Sequence, residues 1–242
     1  MSEKVKAIVI KANDRKEKDK NILLFSLEDG KFWATLKGVK SPTAKMKLAQ
    51  NPFCFGEFVL ADGKMGKVVT GFEVLESFHE ISEEINKYFE GTAVLEIVNA
   101  LNFSSEQENT SVFILVLKTL KAICFGKLKD IYALDKFLIE LFKIQGFPLY
   151  TEKCSCCGTK SFERMFIDFS TGEIECMACK GFASQEIPKV VYMALKILNN
   201  TDFEKLDTVK LAEDSELALL KILVKNFECH FDKNLKLIGI LS

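Results

Sequence analysis

The sequence predicts an α+β chain, a five-stranded β-barrel followed by a helical domain that carries a four-cysteine insert. Three observations carry this expectation. Up to about residue 78, short β-branched and aromatic runs alternate with polar turns, two of them built on Asp-Gly. From His79 onward the apolar period lengthens to that of a helix. Two CxxC pairs, Cys154/Cys157 and Cys176/Cys179, then interrupt the helical half.

The strands come in order along the chain. Val5–Lys11, Ile22–Leu27 and Phe32–Lys37 form the first three, with Glu28-Asp29-Gly30 as the hairpin turn between the second and third. A basic loop, Gly38 to Lys45, leads to Met46–Gln50, which has helical propensity. Phe55–Ala61 and Lys67–Glu76 supply the last two strands around a turn at Asp62-Gly63. Five strands with a short helix between the third and fourth are the element order of an OB-fold. This domain is expected at 1–78, and its junction near Ser77 lacks Pro or Gly, which favours close packing against the second domain.

The second domain, 79–242, begins with a helix from Ile85 that breaks near Asn102-Phe103-Ser104. Val112–Phe125 and Ile131–Gln145 continue with wide apolar stripes, and Gly146 with Pro148 stops the last of these. Phe113, Phe125, Phe137 and Phe142 fall on those stripes and read as core. Pro188 opens another helix through Asn199, Asp214–Cys229 is the last, and Leu235–Leu241 forms an apolar tail.

The insert lies at about 150–185. Eighteen residues separate Cys157 from Cys176, a spacing that suits a four-thiolate zinc site. Arg164–Phe169 and Glu173–Glu175 read as a hairpin turning at Ser170-Thr171-Gly172, which brings the two knuckles together. Four thiolates leave no open coordination position, so one structural Zn2+ is expected on Cys154, Cys157, Cys176 and Cys179. Rubredoxin-type iron uses similar spacing, and Cys156 is a spare sulfur beside the first knuckle. Cys54, Cys124 and Cys229 read as small apolar packing residues.

Composition narrows the class. At 242 residues with 48% hydrophobic and 28% charged, the chain is an ordinary globular protein with room for two cores. The apolar stretch near the N-terminus is too short for a signal segment, and Lys118 and Lys121 cut the most apolar later run, so no membrane association is expected. A cytoplasmic home is the expectation, where cysteines serve metals or buried thiols. Net charge is −1, but residues 1–78 balance at +4 and residues 79–242 at −5. Between Lys37 and Gly56 there is no acid at all.

Lys37, Lys40, Lys45 and Lys47 thus accumulate positive charge without compensation, and Lys31 with Lys37 brackets the third strand. In an OB barrel such a track is suited to phosphates. The plainer reading is a solvated loop. Phe32 and Trp33 are strand neighbours and face opposite ways, so one is core and the other faces the groove. Trp33 is either a stacking platform for bases or a buried barrel residue. Arg15 and Arg164 are the only arginines, which assigns phosphate contacts to lysine point charges.

These parts resemble the RecO family of bacterial recombination mediators. Gly38-Val39-Lys40 to Lys45 resembles the family's basic loop after the third strand, and Gln50-Asn51-Pro52-Phe53 is similar to its L-Q-P-F turn. Gly146-Phe147-Pro148-Leu149 ahead of Cys154-x-x-Cys157-Gly158 resembles its approach to the cysteine cluster, and Lys233–Leu241 its basic-apolar ending. The resemblance implies binding of single- and double-stranded DNA and annealing of complementary strands. It also implies partnership with RecR, contact with the C-terminal tail of single-stranded DNA-binding protein, and help in loading RecA. Lys118, Lys121 and Lys127–Lys129 are the candidate tail contacts. A nucleoid-associated DNA-repair protein of the RecFOR pathway, without catalytic residues, is the expectation. The alternative is a zinc-stabilised RNA-binding protein or a nucleic-acid-processing enzyme. No Walker A loop, HExxH pair, deaminase ligand set or nucleophile elbow appears, which counts against an enzyme.

Overall fold

In the computed structural model, which describes residues 2–41, 46–126, 132–212 and 215–236, five strands close into a barrel. They are β1 (Ser2–Asp14), β2 (Lys20–Ser26), β3 (Gly30–Leu36), β4 (Phe55–Gly63) and β5 (Gly66–Glu76). Their order is β1-β2-β3-β5-β4, with β3 parallel to β5 and every other neighbour antiparallel. The two-residue period sends Val5, Ala7 and Val9 inward to meet Ile22, Leu24, Leu36, Phe58 and Leu60. A 3-10 helix at Lys47–Gln50 lays Ala49 on this core and plugs the barrel. Gly56 has no alternative where β4 meets β5. A Cβ there would stand 2.4 Å from the Phe72 ring and 2.5 Å from the Glu73 carbonyl oxygen.

The opposite parity of β1 and β2 fixes the rest of the molecule. Ile8, Ile10, Leu23 and Phe25 point out of the barrel and are nonetheless buried, because they join one apolar cluster with the helical half. A strand covered on both faces has to be apolar throughout, as Ala7–Ile10 and Ile22–Phe25 are. Phe25 stacks on Phe103 with ring centroids 5.1 Å apart and meets Phe113 at 5.4 Å. Burying such a ring stabilises by about 1.5–3 kcal/mol.

The helical half comprises α1 (Ile85–Ala100), α2 (Glu106–Phe125), α3 (Tyr132–Ile144), α4 (Lys189–Asn199) and α5 (Ser215–Phe231). Ser105 caps α2 by accepting from the Glu108 amide at 3.1 Å. Ten of the thirteen residues of α3 are buried, which makes it the central helix. Its Lys136 donates to the Leu198 carbonyl at 3.0 Å and so satisfies the C-terminal end of α4. Two polar latches cross the seam between barrel and helices. Lys31 Nζ donates to the carbonyls of Val98 (3.0 Å), Asn99 (2.7 Å) and Leu101 at the end of α1. Asn109 Nδ2 on α2 donates to the carbonyls of Ser26 (3.1 Å) and Leu27 (2.7 Å).

Between α3 and α4 lies a small sheet of β6 (Met165–Asp168), β7 (Glu173–Cys176) and β8 (Gln185–Ile187), in the order β7-β6-β8. Met165, Ile167, Ile174 and Ile187 belong to the main apolar cluster, so the insert is docked on the body. Two expectations need correction, and one strand carries no sequence signal. The strand β8 was not anticipated, since Gln185-Glu186-Ile187 is too short and polar to show a period of two. Phe125 is half exposed, because it is the last residue of α2 and the helix ends before its ring is covered. Cys229 is exposed on the outer side of α5 and is no packing residue. Lys45, Lys127–Lys129, Asp214 and the end of the Leu235–Leu241 tail lie outside the described residues, whereas Leu235 itself is buried.

One buried charge stands out on α3. Asp135 is fully buried, and neither carboxylate oxygen has a hydrogen-bond partner. Burial first, then Glu90 on α1 and Glu216 on α5, pushes its carboxyl well above the ordinary range. A raised folded-state value means that the unfolded chain ionises first as pH rises. The group therefore costs no stability below about pH 4 and costs progressively more above it, up to its folded value. Asp135→Asn is expected to stabilise the protein at pH 7, with the gain shrinking toward pH 4. Urea unfolding between pH 4 and 8 checks this, and a gain independent of pH would contradict it.

Candidate nucleic-acid face and metal centre

The loop that leaves β3 is tied to the loop between β1 and β2. The Gly38 amide, on a residue with φ +64°, donates to Asp19 Oδ1 at 2.9 Å, and the Lys40 amide to the Lys18 carbonyl at 3.3 Å. This holds Lys37 and Lys40 at one rim of the barrel, with Lys47 on the 3-10 helix beyond them, and all three are exposed. Lys40 Nζ lies 3.0 Å from Asp14. Lys37 and Lys47 make no ion pair among the described residues.

Lys31 is placed differently from its neighbours on the expected track. Its ammonium is engaged by the three carbonyls at the end of α1, and burial pulls it down to about 8. The carbonyls oppose that shift, since only the protonated form has the three N–H groups that serve all of them. For the aromatic pair, Phe32 packs against the barrel core and Trp33 is 46% exposed on the outer face. Trp33 is thus no buried barrel residue.

Arg15, assigned no site role from the sequence, reaches this same face. Its Nη1 donates to Asn21 Oδ1 at 3.3 Å and to Thr35 Oγ1, and its Nη2 approaches Met65 Sδ at 3.6 Å. The OB element order could have signalled it, because that order places the β1–β2 and β4–β5 loops at one rim.

The metal centre is built by two knuckles and a hairpin. In the first, the Gly158 amide donates to the Cys154 carbonyl at 2.9 Å, and Gly158 has φ +74°, which a side chain would resist. In the second, the amides of Cys179 and Lys180 both donate to the Cys176 carbonyl at 3.0 Å. The turn Asp168–Gly172 reverses the chain, with the Gly172 amide on the Asp168 carbonyl at 2.8 Å, and so sets Cys176 opposite Met165. The ligand atoms of Cys154, Cys157, Cys176 and Cys179 all lie within 4.8 Å of one another.

This cluster fits a tetrahedral metal ion. Cys157 and Cys176 sulfurs are 3.8 Å apart, the edge of about 3.8 Å that four sulfurs make around a metal at about 2.3 Å. A disulfide needs about 2.05 Å, and all eight cysteines are free. Burial pushes the Cys154 thiol up, yet the amides of Cys157, Cys176 and Cys156 overcome that and bring it down to about 6. The neighbouring Cys157 and Cys176 thiols push Cys179 far up. Crowded thiols resist joint ionisation until a cation joins them. Cys156 is exposed and is not among the four.

Comparison with known proteins is consistent along the chain. The family model described as Recombination protein O N terminal matches residues 1–78, and that described as Recombination protein O C terminal matches residues 82–237. A protein of Clostridium novyi named DNA repair protein RecO is 25% identical over 240 residues, covering 99% of this chain and 93% of the relative. Its namesake in Clostridium perfringens is 26% identical over 215 residues, covering 89% and 87%. Another namesake, in Pelotomaculum thermopropionicum, is 28% identical over 242 residues, covering 99% and 93%.

Cys176→Ser is expected to abolish metal binding and to lower the melting temperature, because the binding energy of a structural site is folding energy. Elemental analysis of both proteins purified without chelator, with thermal melts, checks this. Metal-free parent protein, or an unchanged melt in the variant, would contradict it.

Proposed function

This chain belongs to the RecO family of DNA repair proteins, and from that premise we propose that it is a non-catalytic recombination mediator. It binds single- and double-stranded DNA, anneals complementary strands, and with RecR helps load RecA on DNA coated by single-stranded DNA-binding protein. The reading is carried by the exposed lysines Lys37 and Lys40 on the loop that leaves β3, the strand that also exposes the Trp33 ring, and by Lys47, exposed on the 3-10 helix that follows. Lysines following phosphates and an aromatic face under a base together hold a strand without demanding a sequence. Lys45 belongs to the same basic run of sequence.

The metal is Zn2+, held by Cys154, Cys157, Cys176 and Cys179, and its role is to fix the insert. No helix among the described residues is long and apolar enough to cross a membrane, and the protein works in the cytoplasm on the nucleoid. The acidic, apolar tail of single-stranded DNA-binding protein docks on the helical half. Support comes from a cleft of about 250 Å³ beside α2 that joins Lys118, Lys121 and the half-exposed Phe125 to Phe203. Glu204 and Asp207 form its far wall, so the acidic end of the tail has to lie along the α2 lysines.

Replacing Lys37, Lys40 and Lys47 together by alanine is expected to weaken DNA binding and flatten its salt dependence. If each lysine neutralises one phosphate of a single strand, the log–log slope falls by about 0.7 per lysine, or about two units in all. The melting temperature should barely move, since exposed loop lysines contribute little to stability. Fluorescence anisotropy across a salt series, alongside annealing of protein-coated complementary strands, measures both. An unchanged slope and annealing rate in the folded triple variant would remove DNA from this rim.

A further inference from the structure

The structure assigns a subsite for one unpaired nucleobase and its phosphate to Trp33, Arg15 and Met65 on the outer face of the barrel. This rests on the proposed DNA binding and adds where, and by which groups, a single strand is gripped.

Register places these residues on one strip. In the β2–β3 ladder Phe25 pairs with Lys31, Leu23 with Trp33, and Asn21 with Thr35. Paired residues share a face, and so do alternate residues along a strand. The first pair is covered by the helical body, for Phe25 is in its core and Lys31 is bound to α1. The second pair straddles the edge of that cover, with Leu23 buried and Trp33 46% exposed. The Arg15 guanidinium lies over the third pair, bonded to both Asn21 and Thr35. The indole and the guanidinium are therefore two residues apart along β3 on one rigid surface.

The two arginines of the chain differ in kind. Arg164 is neutralised by Glu186, to which it donates from Nε at 2.6 Å and from Nη2. Arg15 has only neutral partners, an amide oxygen, a hydroxyl and a thioether, and no carboxylate among the described residues pairs with it. Its charge is oriented but not compensated. Three of its five N–H groups are accounted for, which leaves donors for a phosphate that the guanidinium fork fits better than an ammonium does.

Met65 adjoins the guanidinium. It sits at the tip of the β4–β5 turn, 83% exposed, with its sulfur 3.6 Å from Arg15. A flexible thioether adapts to any of the four bases, and the β1–β2 and β4–β5 loops are the usual rims of an OB channel. Because the helical body covers the face from Leu23 onward, the subsite is short. A longer strand must leave it toward Lys37 and Lys40.

Trp33 is the only tryptophan in the chain, so its emission reports this subsite without a label. The full-length protein is titrated with an oligothymidylate and with a duplex of equal length, following tryptophan emission and, in parallel, the anisotropy of end-labelled DNA. Quenching by the single strand is expected at the midpoint given by anisotropy, with far less quenching by the duplex at equal occupancy. Trp33→Ala should weaken single-strand binding about five- to a hundredfold, and Trp33→Phe should restore most of it. Arg15→Lys should not recover what Arg15→Ala loses. Binding by anisotropy with unchanged emission in the parent protein overturns the subsite and leaves DNA binding elsewhere on the barrel. Emission that responds equally to duplex overturns base stacking as its basis. No binding by either signal overturns this inference and the DNA reading together.

Discussion

The double-sided burial of β2 is the constraint that shapes the architecture. Ile22 and Leu24 fill the barrel while Leu23 and Phe25 fill the seam with the helices. A barrel alone would expose that second row, and helices alone would expose Phe103 and Phe113. The polar latches are consistent with this seam. Lys31 finds its partners only because Phe25 brings the hairpin to the end of α1, and Asn109 reaches the Ser26 and Leu27 carbonyls for the same reason. Gly91 lets α1 approach closely, since a Cβ there would stand 2.8 Å from Ile81 and 3.0 Å from Phe53.

The seam also decides how the barrel is used. It takes half of the outer β2–β3 face and one of the expected lysines, and leaves Trp33, Arg15 and the rim of Lys37 and Lys40 open. The negative balance of the helical half makes that half a poor surface for phosphates. The four-cysteine insert is a separate element between α3 and α4. By closing two knuckles it keeps Met165, Ile167 and Ile174 on the core between α3 and α4, where an apolar hairpin of this size would otherwise be marginal.

Much of this was legible in the sequence, for identifiable reasons. The period switch at His79, the Asp-Gly turns and the cysteine spacing are local signals, and each led to the right element. The residues that misled depend on tertiary facts. Nothing local distinguishes Lys31, which meets a helix terminus, from Lys37, which meets water. The parity of Phe32 and Trp33 required a register that only the closed barrel supplies. Arg15 required two loops distant in sequence to converge. Phe125 lies on an apolar stripe that outlasts its cover by one residue, and Asp135 sits on a stripe where a carboxylate has no evident place. The clustering of Cys154, Cys157, Cys176 and Cys179 was readable because a CxxC knuckle carries its geometry in its spacing.

The central claim is that barrel and helical body are one cooperative unit. Urea unfolding followed simultaneously by Trp33 emission, which reports the barrel, and by far-ultraviolet circular dichroism, which reports the helices, tests it most directly. Coincident transitions are expected in the metal-loaded protein, and both are expected to shift to lower urea together in Phe113→Ala. Separate midpoints for the two signals, or a Phe113→Ala variant that moves the helical transition alone, would contradict it.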